Sequence, residues 1–85
     1  MKNENMIKKY QNMIDNGELL NYFTNNNYIV GENQFKTTKD ISIIRYINKN
    51  SNFFYEFLLK WNKQELKWKI MEVTQGIIQG IEEEK

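Results

Sequence analysis

The chain has 85 residues and a formal net charge of +1, with no cysteine, histidine or proline. That length allows one domain with one modest core. The missing residue types exclude disulfides, thiolate or imidazole metal sites, Ser-His triads and histidine acid–base chemistry. Alanine is also absent, while asparagine, isoleucine and lysine are used heavily. AT-rich codons produce that bias, which indicates a low-GC bacterium or one of its phages or plasmids.

The polar start Met1–Asn5 leads into no continuous apolar run. A secretory signal needs such a run, and a membrane span needs about 20 apolar residues. A soluble, cytoplasmic chain without a membrane partner is therefore expected. The charge is uneven: residues 1–35 sum to −1, 36–69 to +5 and 70–85 to −3.

Met6, Ile7, Tyr10, Met13 and Ile14 fall on one stripe of a helix, and Gly17 can end it in a left-handed conformation. Glu18 to Phe23 reads as a short second helix, apolar at Leu19, Leu20, Tyr22 and Phe23. Asp15 and Glu18 have capping-box spacing for its start. After the polar break Thr24–Asn27, the segments Tyr28–Val30 and Gln34–Thr38 read as a hairpin around Gly31-Glu32-Asn33.

Ile41–Asn48, Phe53–Trp61 and Leu66–Val73 are rich in β-branched and aromatic residues and read as three strands. The polar breaks Lys49–Asn52 and Asn62–Glu65, four residues each, suit hairpins. Thr74 then caps an expected final helix on which Val73, Ile77, Ile78 and Ile81 repeat. Gly76 and Gly80 would let that helix lie close on the sheet, and Glu82, Glu83 and Glu84 sit at its unfavourable negative end. The expected fold is a single α+β domain over residues 1–85. It has an N-terminal helix, a short second helix, an antiparallel meander of three to five strands and a C-terminal helix on one face.

Closing each four-residue loop with its flanking residues opposite one another sets a register. Tyr46 then faces Tyr55, Ile44 faces Phe57, Leu59 faces Trp68 and Phe57 faces Ile70. One face holds Ile44, Tyr46, Phe53, Tyr55, Phe57, Leu59, Trp61, Leu66, Trp68 and Ile70, and is the expected core, covered by the first and last helices. The other holds Ile41, Ile43, Ile47, Phe54, Leu58, Met71 and Val73. Arg45 stands opposite Glu56 on that face, Lys60 opposite Lys67, and Lys69 opposite Leu58. A slip of one residue would exchange the faces of a strand.

That second face has three readings: covered by the chain's own segments, buried in a homodimer, or docked on a protein partner. The lysines, with Trp61 and Trp68 nearby in sequence, also suggest a nucleic-acid-binding regulatory domain over Lys60–Lys69. Against that, the register puts the tryptophans on the opposite face, and only one of twelve cations is arginine. A solvated lysine edge is the plainer reading.

No catalytic, metal-binding or cofactor-binding residues are expected. By elimination and surplus surface, the expectation is a non-enzymatic protein that occludes a protein partner. Size and composition alone suggest a phage or mobile-element inhibitor of host machinery, of the kind that includes anti-CRISPR proteins. The expected anchors are Ile43, Ile47, Phe54, Leu58 and Met71, with Lys60, Lys67 and Lys69 supplying electrostatics.

Overall fold

The computed structural model describes residues 4–31, 36–37 and 39–78. Helix α1 spans Glu4–Asp15 and α2 spans Leu19–Thr24. The apolar stripe of α1 faces the core, with Tyr10 buried and Met6, Ile7, Met13 and Ile14 packed beside it. Gly17, at φ 71°, ends this helix. Its N–H bonds to the Ile14 carbonyl and that of Glu18 to the Met13 carbonyl, the paired closure of a Schellman turn. Leu19 and Phe23 of α2 are buried, but Leu20 is exposed. The capping box does not form. Glu18 occupies the N-cap position without a side-chain bond, and the Asp15 carboxylate accepts from Gln11 and Lys67 instead.

Five strands follow, β1 (Tyr28–Val30), β2 (Lys36–Thr37), β3 (Ile41–Asn48), β4 (Phe53–Asn62) and β5 (Lys67–Ile77), all in one sheet. The main path is β1-β3-β4-β5 and every pairing is antiparallel. The hairpin expected over Tyr28–Thr38 is not what forms. β1 pairs with Tyr46–Asn48 and β2 with Ser42–Ile43, so both line the β3 edge that faces away from β4. Residues 32–35 and 38 of that segment lie outside the described residues.

The β3–β4 hairpin has the expected register, with Tyr46 opposite Tyr55, Arg45 opposite Glu56 and Ile44 opposite Phe57. Its turn is asparagine chemistry. Asn48 Oδ1 accepts from the N–H groups of Asn50 and Ser51, and Asn52 takes φ 64°.

The β4–β5 hairpin departs from expectation. Its connection is Lys63–Leu66, with Leu66 itself left-handed at φ 55° and Asn62 opposite Lys67. Trp61 therefore faces Trp68 and Leu59 faces Ile70, two residues further along than the loop lengths imply. A two-residue shift preserves the faces. A bulge between Leu58 and Leu59 then adds one more residue, leaving Met71 without a partner and setting Leu58 opposite Glu72 and Phe57 opposite Val73. That odd step moves Val73 from the second face into the core. Leu66, expected in the core, is 72% exposed.

The expected C-terminal helix is also corrected. Thr74, Gln75, Gly76 and Ile77 continue β5, opposite Glu56, Tyr55, Phe54 and Phe53. The Ile78 N–H extends the ladder to the Asn52 carbonyl. Val73 and Ile77 share a face in a strand as they do in a helix, so their spacing fits both. The rest of the expected helix, with Gly80, Ile81 and Glu82–Glu84, lies outside the described residues.

The core lies between the sheet and the two helices. Phe23 stacks on Tyr46 at 4.4 Å, and Tyr10 meets Phe57 edge-on at 5.2 Å. Phe57, Leu59, Ile70 and Val73 complete the buried set. Such ring pairs contribute roughly 0.5–1.5 kcal/mol each beyond their buried area. Burial, together with the neighbouring Tyr55 and Tyr22, pushes the Tyr10 phenol far above its ordinary range, and burial raises that of Tyr46. Helix α1 also guards the outer edge of β5. Gln11 donates to the Trp68 carbonyl at 3.0 Å and accepts from the Ile70 N–H at 2.8 Å, standing in for a neighbouring strand.

Candidate functional site

Both helices pack on the face that carries Tyr46 and Phe57, so neither covers the other side of the sheet. On that side the register sets Ile43 directly opposite Leu58 and Ile47 opposite Phe54, with Arg45 opposite Glu56 between them. Ile29 of β1 extends the patch beyond Ile47 and is 47% exposed. Ile41 and Met71 are exposed at the other end, while Ile43, Ile47, Phe54 and Leu58 are half-buried by one another. The five expected apolar anchors are thus on one face, with Met71 placed there by the bulge rather than by regular pairing.

Arg45 holds the centre. Its guanidinium lies over the Phe54 ring, 4.3 Å from the centroid, and 3.5 Å from the Glu56 carboxylate. Its Nε is buried with no hydrogen-bond acceptor among the described residues. Phe54 in turn lies against Gly76, where a Cβ would come within 3.1 Å of two ring carbons. The glycine read as a helix-packing residue is therefore the floor on which an aromatic ring rests. Sequence reasoning found the Arg45–Glu56 pair but missed the Gly76–Phe54–Arg45 stack, because that stack depends on β5 continuing past Val73.

The lysine end is rearranged. Lys69, not Lys67, stands opposite Lys60. The Lys67 ammonium lies 3.0 Å from Asp15 and 3.5 Å from Glu65, and Lys69 lies 3.3 Å from the same Glu65. Hydrogen bonds from Gln11 and Lys67 hold the Asp15 carboxyl below its ordinary pKa, and the bond to Asp15 holds Lys67 above its own. Two of the three expected cations are thus engaged internally. Lys60 forms no ion pair among the described residues.

A cleft of about 630 Å³ opens at this end of the sheet, lined by Lys60, Lys63 and Lys69, by Trp61 and Asn62, and by Asp40. The Trp61 N–H bonds to the Asp40 carbonyl at 2.8 Å and so fixes one wall. The expected separation holds in the register: Trp61 and Trp68 stand opposite one another with their rings in contact, on the face away from Lys60 and Lys69, although Trp61 also borders the cleft. Lys63 was already part of the basic cluster read with Lys60, Lys67 and Lys69, whereas Asn62 and Asp40 were not singled out in the sequence, because strand pairing brings them to this cleft.

Among the described residues no cluster of three or more acidic side chains is placed to hold a metal ion, and no helix is long and apolar enough to cross a membrane. No protein-family model, curated protein or solved structure matches this chain.

Proposed function

We propose that this is a non-enzymatic binding protein whose sheet face, on the side away from the helices, docks a protein partner and occludes that partner's surface. One observation carries the reading: Ile43, Ile47, Phe54 and Leu58 form two directly opposed apolar pairs around the Arg45–Glu56 pair, on a face that neither helix covers. Contiguous apolar surface of this kind marks interaction sites, and aromatic and arginine side chains dominate their energetics. Arg45 on Phe54 supplies both, and its guanidinium can offer hydrogen bonds to an acidic or carbonyl-rich partner surface. Lys60, without an internal ion pair among the described residues, extends the positive rim.

Two substitutions change the face while respecting its charge pattern. Phe54→Glu puts a carboxylate beside Arg45, and Leu58→Lys puts an ammonium opposite Glu72. The test is affinity capture by the wild-type chain, followed by reconstitution of the captured protein as a purified binary complex. Both variants are expected to keep their circular dichroism spectra and to weaken the complex at least about tenfold, while Lys8→Gln on α1 leaves it intact. A complex that survives both variants overturns the proposal. So does a wild-type chain that sediments only as a homodimer, with both variants monomeric.

A further inference from the structure

We infer that Leu66 is a contact residue, presented by the β4–β5 turn to an apolar pocket with an acidic rim on the protein partner proposed above. The starting point is a mismatch between residue and backbone. Among the described residues four take positive φ: Gly17, Asn27, Asn52 and Leu66. The first three are residue types that tolerate that conformation, and the chain is rich in asparagine. Leu66, at φ 55°, is the exception, and its side chain gains nothing from the fold in return, being 72% exposed. The hairpin closes through a left-handed residue at this position, but nothing in that closure requires a leucine. Backbone strain kept at an exposed position, with no packing to compensate it, points to a role in function.

The turn is ordered before any partner arrives. The Leu66 N–H bonds to the Asn62 carbonyl at 2.8 Å, and Asn62 Oδ1 accepts from the Glu65 N–H at 2.7 Å. Such preorganisation lowers the entropy cost of docking. Strand β3 begins at Ile41, opposite Lys60, so the turn projects past the end of that strand. The surrounding charge selects the partner. Residues 60–69 carry Lys60, Lys63, Lys67 and Lys69 against Glu65 alone. Glu65 meets Lys67 and Lys69, whereas Lys60 and Lys63 form no ion pair among the described residues. A leucine among lysines fits an apolar pocket rimmed by carboxylates and rejects a basic rim. Lys60 shares the face that carries Phe54 and Leu58, so one partner can meet both regions. The inference rests on that docking reading for the existence of a partner, and the variants below separate the two.

The experiment measures the dissociation constant of the purified binary complex by titration calorimetry, and the urea midpoint of each free variant. Leu66→Asn is expected to bind at least about tenfold more weakly while raising the urea midpoint, because it removes an apolar contact and relieves the turn. Leu66→Met, which keeps the apolar bulk, should bind within about threefold of wild type. Lys63→Gln should slow association at low salt and have little effect at high salt. Leu66→Asn binding like wild type overturns the inference, and the docking face still stands if Phe54→Glu weakens the complex. Phe54→Glu without effect, with Leu66→Asn weakened, overturns the face and supports the turn. Loss of both stability and binding in Leu66→Asn gives the leucine a structural role and overturns the inference. Retention of wild type but not Leu66→Asn on phosphatidylglycerol vesicles overturns it in favour of a lipid surface. A Leu66-dependent homodimer overturns it in favour of a second copy. No complex at all overturns both readings.

Discussion

Leu66 stands in a left-handed conformation at φ 55° while 72% exposed, so it carries backbone strain without burying its side chain. For an L-residue with a branched apolar chain that conformation costs roughly 1–2 kcal/mol, and asparagine tolerates it better. Leu66→Asn should therefore stabilise the protein by about 0.5–1 kcal/mol, read as a higher urea midpoint at unchanged slope. The turns at Gly17 and Asn52 use residues suited to positive φ, and both were legible for that reason. Leu66 was not, because an apolar residue beside a strand reads as strand. The misread residue displaced the whole β4–β5 register by two.

The α1–β5 contact shows how a helix can be legible while its docking is not. The stripe from Met6 to Ile14 identifies the inward side of α1, but nothing local shows that Gln11 will bond to the edge of β5 or that Asp15 will meet Lys67. This contact has a pH signature. Asp15 has a lowered carboxyl pKa, so its contribution is fully present above the unfolded value of about 3.9 and fades as pH falls through the folded one. Lys67 has a raised pKa, so its contribution is present below about 10.4 and fades as pH rises. Urea midpoints across pH should fall at both extremes, and Asp15→Asn should flatten the acid limb. Because the pair is solvent-exposed, the effect should shrink with added salt. The end of β5 shows the converse, an element whose type was misread. Thr74–Ile77 fits a helix by spacing, yet β4 extends to Phe53 and offers a ladder edge that a strand can satisfy.

At the scale of the whole molecule the two faces of the sheet should respond differently to substitution. Phe57→Ala, inside the aromatic cluster, should cost about 3–5 kcal/mol, enough to unfold much of a chain this small. Leu58→Lys, one residue away on the other face, should cost about 1 kcal/mol or less. Thermal melts of the pair check this directly, and a large loss from Leu58→Lys would mean that the second face is covered. The sequence by itself determined which residues of β3 and β4 share a face, the register of their hairpin, and the inward stripe of α1. These follow from periods of two and 3.6 and from an asparagine-rich turn with local hydrogen bonds. Only the tertiary structure decided the β4–β5 register, the Met71 bulge, the strand fate of Thr74–Ile77, and the pairing of β1 and β2 with β3. Each depends on partners distant in sequence. Seating Leu59, Ile70 and Val73 in one core and filling the edge of β4 outweigh the local cost of a left-handed leucine. The same long-range choice set Phe54 on Gly76 and brought Lys60 to Lys69, so the proposed docking face follows from a register that the loops alone do not specify.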